Sequence, residues 1–473
     1  MPLPNPNKMI SRVNKSELFA SLPAPWPQDL LPEIRAAVAA SRRKVVVLDD
    51  DPTGTQTVYD LPVLTTWDVK ALRAELIKDA PCFYILTNSR SLPANEAYAL
   101  NLEIARNLKQ AAAETGAEFS IVSRSDSTLR GHFPGELQAL TEVLGNFNAL
   151  IVIPYFEAGG RYTVGDVHYV AEGDTLLPAA ETPFARDAAF GYRSSNLREW
   201  VAEKSNGELC ADSVATISIR ELRQGGPEVV SERLLQFSSA NVCVVNAACP
   251  SDLEVFVKGL LVAEAQGRRF LFRTAASFVA VRLGLAPRPL WQPLATHSAA
   301  GGLTVVGSYV PKTTAQLEAL LTNPEIERVE ISVAAILQKE RRESELSRVV
   351  DQINRLLAAG RDVVVFTSRK VITGGDATTS LDIGGKVSDA LVELVQRIET
   401  RPRYLIAKGG ITSSDLATHG LGVKRALVLG QILPGVPVWE LGVETKFPGL
   451  PYVIFPGNVG GSEALLQVVS KFM

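Results

Sequence analysis

The sequence predicts an α/β protein: two α/β domains with largely parallel sheets and a ligand cleft between them. Three observations lead there. In the first third of the chain four apolar runs each stop in a cluster of Asp, Ser, Thr, Asn, Gly or Arg. After residue 302 a second series of four such runs stops in glycines and hydroxyls. Between the two series lies a proline-dense stretch with Pro287, Pro289 and Pro293. Short β-branched runs without alternation read as strands buried on both faces, and parallel strands present ligand-binding residues at their carboxyl ends.

Residues 1–43 read as an arm followed by a helix, LLPEIRAAVAASRRK, with one apolar face. The domain from 44 to 284 begins with VVVL (45–48), which runs into Asp49-Asp50-Asp51-Pro52-Thr53-Gly54. FYIL (83–86) runs into Thr87-Asn88-Ser89-Arg90, Ile121-Val122 into Ser123-Arg124-Ser125-Asp126-Ser127, and LIVI (150–153) into Pro154 and Gly159-Gly160-Arg161. Helices are expected over AYALNLEIARNLKQAAAETG, stopped by Gly116, and PGELQALTEVLG. The stretch from about 171 to 226 reads as surface helices and loops. Residues 285–302 are the linker. The domain from 303 to 473 carries LTVV (303–306), VVVF (363–366), YLIA (404–407) and YVIF (452–455).

Composition narrows the functional classes. A chain of 473 residues exceeds one ordinary core, so two domains are the default. A net charge of −3 without a basic block argues against nucleic acid as a partner. No stretch reaches the roughly 18 uninterrupted apolar residues of a membrane span, and the polar, proline-rich start is no signal peptide; a cytoplasmic protein with no membrane partner is expected. Cys82, Cys210, Cys243 and Cys249 form no CxxC pair, and Cys82 and Cys243 read as small buried thiols.

The polar clusters carry the chemistry. Gly409 and Gly410 follow an apolar run and precede Thr412, Ser413 and Ser414 at the start of a helix, so backbone amides there suit an anion. Gly457 and Gly460 around Asn458 form a second such loop. Residues 374–388, GGDATTSLDIGGKVS, lack the P-loop spacing, and no GxGxxG follows a strand. Asp49-x-Asp51-x-Thr53 matches the DxDxT signature of haloacid-dehalogenase-like phosphatases, in which Asp49 would be the nucleophile and Asp51 the acid and base. That scheme calls for a downstream lysine and a late acidic pair, where this chain carries SRSDSTLRGHF and PYFEAGGR, and it leaves the glycine loops without a task.

Together the motifs resemble the four-carbon acid sugar kinase family, whose members phosphorylate threonate, erythronate or 3-oxo-tetronate with ATP. The likeness spans about residues 44 to 470 and rests on Asp50 to Gly54, DSTLRG (126–131), Gly160-Arg161 to Gly165, Gly307-Ser308, Gly409-Gly410-x-Thr412 and Gly457 to Gly460. Pro52 and Gly374-Gly375 depart from its pattern. The resemblance implies an ATP-dependent kinase using Mg²⁺, with a small-molecule sugar acid and ATP as partners and room for a homo-oligomer. Asp50, Arg90, Ser127, Arg130, Gly160 and Arg161 would bind the acid, the arginines through its carboxylate. Asp51 is the first choice and Asp126 the second for the base that takes the hydroxyl proton. Ser308, Gly409, Gly410, Ile411, Thr412 and Gly457 would bind ATP, and no metal ligands are assigned. His132 and His168 sit inside the motif segments; for His168 a packed, non-catalytic role is the expectation, as is a solvated role for Lys386.

Overall fold

The computed structural model describes residues 11–145, 147–238, 241–294, 299–308, 310–369 and 377–473. It divides into two compact units: Met1–Asp50 with Trp67–Pro287, and Asp51–Thr66 with Arg288–Met473. The chain thus leaves unit 1 after Asp50 and re-enters it at Trp67. Residues 51–66, which the sequence assigns to the first domain, cluster with the second unit because the strand they contain pairs there.

The strands of unit 1 are β1 (Val13–Asn14), β2 (Lys44–Asp49), and, after β3 (Leu61–Leu64) of unit 2, β4 (Cys82–Leu86), β5 (Phe119–Arg124) and β6 (Ala149–Ile153). They continue with β7 (Arg161–Val164), β8 (Val167–Glu172), β9 (Thr175–Pro178), β10 (Ala215–Ile217), β11 (Asn241–Val245) and β12 (Phe270–Thr274). Seven of them form a parallel sheet in the order β10-β11-β6-β12-β5-β2-β4. All six residues of β2 and all five of β4 and β12 are buried, which is why these runs show no alternation. Asp49 pairs in register with Leu86 on one side and Arg124 on the other, and Arg124 with Thr274. The polar clusters after β2, β4, β5 and β6 therefore share one sheet edge, as expected.

The predicted helices form over Leu31–Ser41, Ala94–Thr115 and Gly135–Leu144, the last two stopped by Gly116 and Gly145 at positive φ. The 22-residue helix buries Ile104, Ala105 and Leu108 along one face, and each large aliphatic contributes about 1.5–3 kcal/mol. The 171–226 stretch is more than surface: it supplies β9, the edge strand β10, and a helix, Leu197–Lys204, whose Trp200 is fully buried. A small antiparallel sheet, β1-β9-β8-β7, carries Arg161.

Unit 2 contains β3, β13 (Leu303–Val306), β14 (Ile326–Ile331), β15 (Asp362–Thr367), β16 (Leu405–Lys408), β17 (Arg425–Leu433), β18 (Val436–Leu441) and β19 (Pro451–Phe455). β14-β15-β13-β16-β19 is parallel and matches the four apolar runs plus β14. β18, β17 and β3 extend it antiparallel. The core includes Leu317, Phe366, Tyr404, Ile406, Val453 and Leu465. Among the described residues no helix is long and apolar enough to cross a membrane.

Candidate functional site

In unit 1 the rim gathers around three carboxylates. Asp49, at the end of β2, is buried and receives the Arg124 guanidinium at 3.0 Å. Asp50 is buried too: Ser125 Oγ donates to its Oδ2 at 2.6 Å, and Arg90 stands 3.5 Å from its Oδ1. Asp126 receives Arg130 Nε at 2.8 Å, the Thr128 hydroxyl, and Arg90 at 3.5 Å. Burial alone would raise the Asp126 carboxyl, but Arg90 and Arg130 outweigh it and hold it well below the usual carboxylate range. Arg90 thus bridges Asp50 and Asp126.

Neighbouring groups hold this arrangement. Ser89 Oγ donates to Glu136 at 2.5 Å, and the His132 ring bonds the carbonyls of Ser89 and Leu92, so helix Gly135–Leu144 and the residues before it fix the Arg90 loop. His168 is fully buried; Nε2–H donates to the Ser127 carbonyl at 2.8 Å, and Nδ1 meets Thr163 Oγ1 at 3.0 Å. His132 thus engages the Arg90 loop, and His168 the DSTLRG loop. Gly131 has φ 121°, and a Cβ there would lie 2.6 Å from Ser125 Oγ.

Arg130 and Arg161 both lie over the Phe184 ring, at 5.1 and 5.6 Å. Arg161 also donates to the Gly159 carbonyl, and its buried Nε has no partner among the described residues. Gly160, at φ 72°, packs its backbone on Ala171. Ser127 is only partly buried. The sequence reading missed Arg273, a buried residue of β12 that donates to the carbonyls of Asp126 and Arg130, both at 2.9 Å, and to Ser125 Oγ at 3.3 Å. Its signal was an arginine inside an otherwise apolar run, FLFRT.

In unit 2 the excursion brings Asp51 to the second rim. Its Oδ1 accepts from Thr53 N at 2.9 Å and Thr53 Oγ1 at 2.5 Å, capping the turn Pro52–Thr57. Its Oδ2 lies 3.6 Å from where a Cβ of Gly410 would be. Ser308, Gly409, Thr412 and Gly457 converge there: a Cβ on Gly409, whose φ is 121°, would lie 3.1 Å from Ser308 Cβ and 3.3 Å from Thr412 Oγ1, and one on Gly457 3.8 Å from Ser308 Oγ. Ile411 is 63% exposed beside them. Lys408, unassigned from sequence, ends β16 fully buried directly before these glycines; a lysine closing a buried run was its signal. Lys386 is exposed on helix Ala377–Arg397, and Gly374-Gly375 lie outside the described residues.

Asp49 and Asp51 fall in different units, and Asp49 is buried against Arg124. The phosphatase scheme needs Asp49 open to phosphate, so this geometry does not serve it. Among the described residues no group of three or more His, Cys, Asp or Glu is placed to hold a metal.

Residues 45–282 match the family model of a sugar-binding N-terminal domain, and residues 303–465 that of a nucleotide-binding C-terminal domain. The chain is 27% identical to a D-erythronate kinase of Heliobacterium modesticaldum over 82% of this chain and 86% of that protein. It is 25% identical to a D-threonate kinase of Salmonella typhimurium over 90% and 97%, and 28% identical to a D-threonate kinase of Cupriavidus necator over 80% and 84%. Solved structures from Haemophilus influenzae and Salmonella typhimurium share the fold, with TM-scores of 0.64 and 0.65 at 18% and 17% identity; they cover 90% and 91% of this chain and 100% of each neighbour.

Proposed function

Since the chain belongs to the four-carbon acid sugar kinase family, we propose that it transfers a phosphoryl group from ATP to a hydroxyl of a four-carbon sugar acid of the threonate or erythronate type. The relatives named as D-threonate and D-erythronate kinases support the substrate class. The observation that carries the reading is the cluster of Arg90, Arg130 and Arg161 around Asp50 and Asp126. A rim with more guanidinium than free carboxylate suits a small acid that also carries hydroxyls.

In this reading Arg130 and Arg161, steadied on Phe184, take the substrate carboxylate. Asp50, its Oδ2 already occupied by Ser125, offers Oδ1 to a sugar hydroxyl. Asp126 is bound by two arginines and held at low pKa, which suits a fixed hydrogen-bond acceptor better than a base. Asp51, beside Gly410, keeps the role of general base. Ser308, Gly409 to Thr412 and Gly457 hold the nucleotide. Mg²⁺, which keeps several waters and needs few protein ligands, would arrive with the phosphates and neutralise their charge.

The test is a panel of four-carbon aldonic acids in a coupled assay for ADP. ADP formation that depends on an added acid is expected. Phosphate released from a phosphorylated acid without nucleotide, or ATP consumed at the same rate with no acid present, would sink the proposal.

A further inference from the structure

Two cations, the buried Lys408 and the half-buried Arg369, are held by backbone carbonyls at the glycine loops of unit 2. The Lys408 ammonium donates to the Pro456 carbonyl at 2.6 Å and the Gly457 carbonyl at 3.4 Å, 4.1 Å from the centre of the Phe455 ring. Arg369, just past β15, donates to the Ser308 carbonyl at 2.7 Å and the Val306 carbonyl at 3.5 Å, and its buried Nε has no partner among the described residues. Among the described residues neither has a carboxylate within ion-pair distance. Three other buried cations do: Arg124 has Asp49, Arg223 has Asp252 and Arg282 has Glu264, whereas buried Arg273 and Lys44 are held by carbonyls. An uncompensated buried charge is costly and calls for a counter-ion.

We infer that Lys408, assisted by Arg369, is a positioning residue for the nucleotide polyphosphate, turning loop amides toward it and supplying positive charge beneath them. The inference rests on the nucleotide reading of unit 2. In a trans peptide the C=O and N–H point opposite ways. Because Lys408 takes the carbonyls of Pro456 and Gly457, the next amides, Gly457 N–H and Asn458 N–H, are directed away from it. Among the described residues neither amide donates to a protein acceptor. Successive outward N–H groups make an anion-binding concavity. Lys312 adds a third cation, reaching the Asn458 carbonyl at 3.2 Å.

Of the elements around Lys408, β13 carries no titratable side chain and β19 only the buried Tyr452. Helix Pro311–Leu320 brings Lys312 and Glu318, helix Gly410–Asp415 brings Asp415, bonded to Ser388, and the end of β15 brings Arg369. Burial and then Lys312 lower Lys408 to about 7, and a bound polyanion would raise it again. Nucleotide binding near pH 8 should then take up a proton.

Calorimetry of ATP and Mg²⁺ binding, in two buffers of different ionisation enthalpy at about pH 8, reads this directly. The wild type should take up a sizeable fraction of about one proton per ATP. Lys408→Met should take up none and bind ATP about tenfold or more weakly. Its melting temperature without nucleotide should hold or rise, because an apolar side chain replaces an unpaired buried charge. Wild-type binding without proton uptake overturns the inference and leaves the nucleotide reading standing; a wild type that binds no ATP overturns both. If Lys408→Met does not fold, the wild-type proton count still decides.

Discussion

Ser125 donates its hydroxyl to Asp50 at 2.6 Å, and Gly131 leaves the space in which it does so. At φ 121° an alanine costs about 1–3 kcal/mol in backbone strain, and its Cβ would strike Ser125 Oγ and approach Asp50 Oδ2 to 3.3 Å. Gly131→Ala should therefore lower the melting temperature and raise KM for the acid while leaving ATP affinity in place. Wild-type melting and kinetics in this variant would contradict the arrangement.

Arg161 is the freer of the two stacked arginines, since Arg130 is bound to Asp126. Arg161→Ala should cost on the order of 2–4 kcal/mol in kcat/KM for the acid, with little loss of stability. Arg161→Lys should recover little, because an ammonium presents no planar fork. Steady-state kinetics with each substrate varied in turn, alongside thermal melts, check both.

The two aspartates flanking Asp50 should respond differently. Asp51→Asn should lose roughly two to four decades of kcat with acid and ATP still bound. Asp49→Asn, which breaks a buried pair with Arg124, should instead destabilise the fold by about 3–5 kcal/mol. After turnover with γ-labelled ATP and denaturation, label belongs on the acid alone; label on Asp49 would restore the phosphatase chemistry.

Stability should carry two opposed pH dependences. Burial lowers His168 to about 4, so its contribution is complete above about 6.5 and is lost as pH falls toward 4, at most on the order of 3 kcal/mol. Burial, and then Asp50, raise Glu136 to about 7, so its contribution is complete below the ordinary carboxylate range and is lost as pH rises through 7. Urea unfolding at a series of pH values separates them. Between about pH 4.5 and 6.5 the stability of Glu136→Gln relative to wild type should climb with pH, and that of His168→Gln should fall. Slopes of the other sign would contradict these buried states.

Much of the first rim was legible because parallel strands buried on both faces leave a local signature, an apolar run with an abrupt polar end, as at Leu48-Asp49 and Leu86-Thr87. The excursion was not legible. Leu61–Leu64 is four apolar residues like any other short strand, and its partner in β17 lies more than 350 positions away. β17 is buried at every second residue, but its sequence, apolar from Ala426 through Leu429, shows no alternation to read, and an alternation would name a face and not a neighbour. Arg273 and Lys408 were hidden for a related reason: what makes a charged strand residue functional is which carbonyls surround it, and those come from other strands.

The early placement of β3 bears on synthesis. Thr65 bonds Val423 and Thr55 bonds Trp439, spanning 358 and 384 positions. At about 5–20 residues per second, residues 51–66 would wait on the order of tens of seconds for β17 and β18, to which they bond in unit 2. Unit 1, whose sheet is complete by Thr274, is able to fold first and hold that segment out as a tethered loop. A nascent chain arrested just past residue 300 should show 51–66 cut by protease while the rest of unit 1 resists. Protection of that segment at the same arrest point would mean it finds another resting place until β17 arrives.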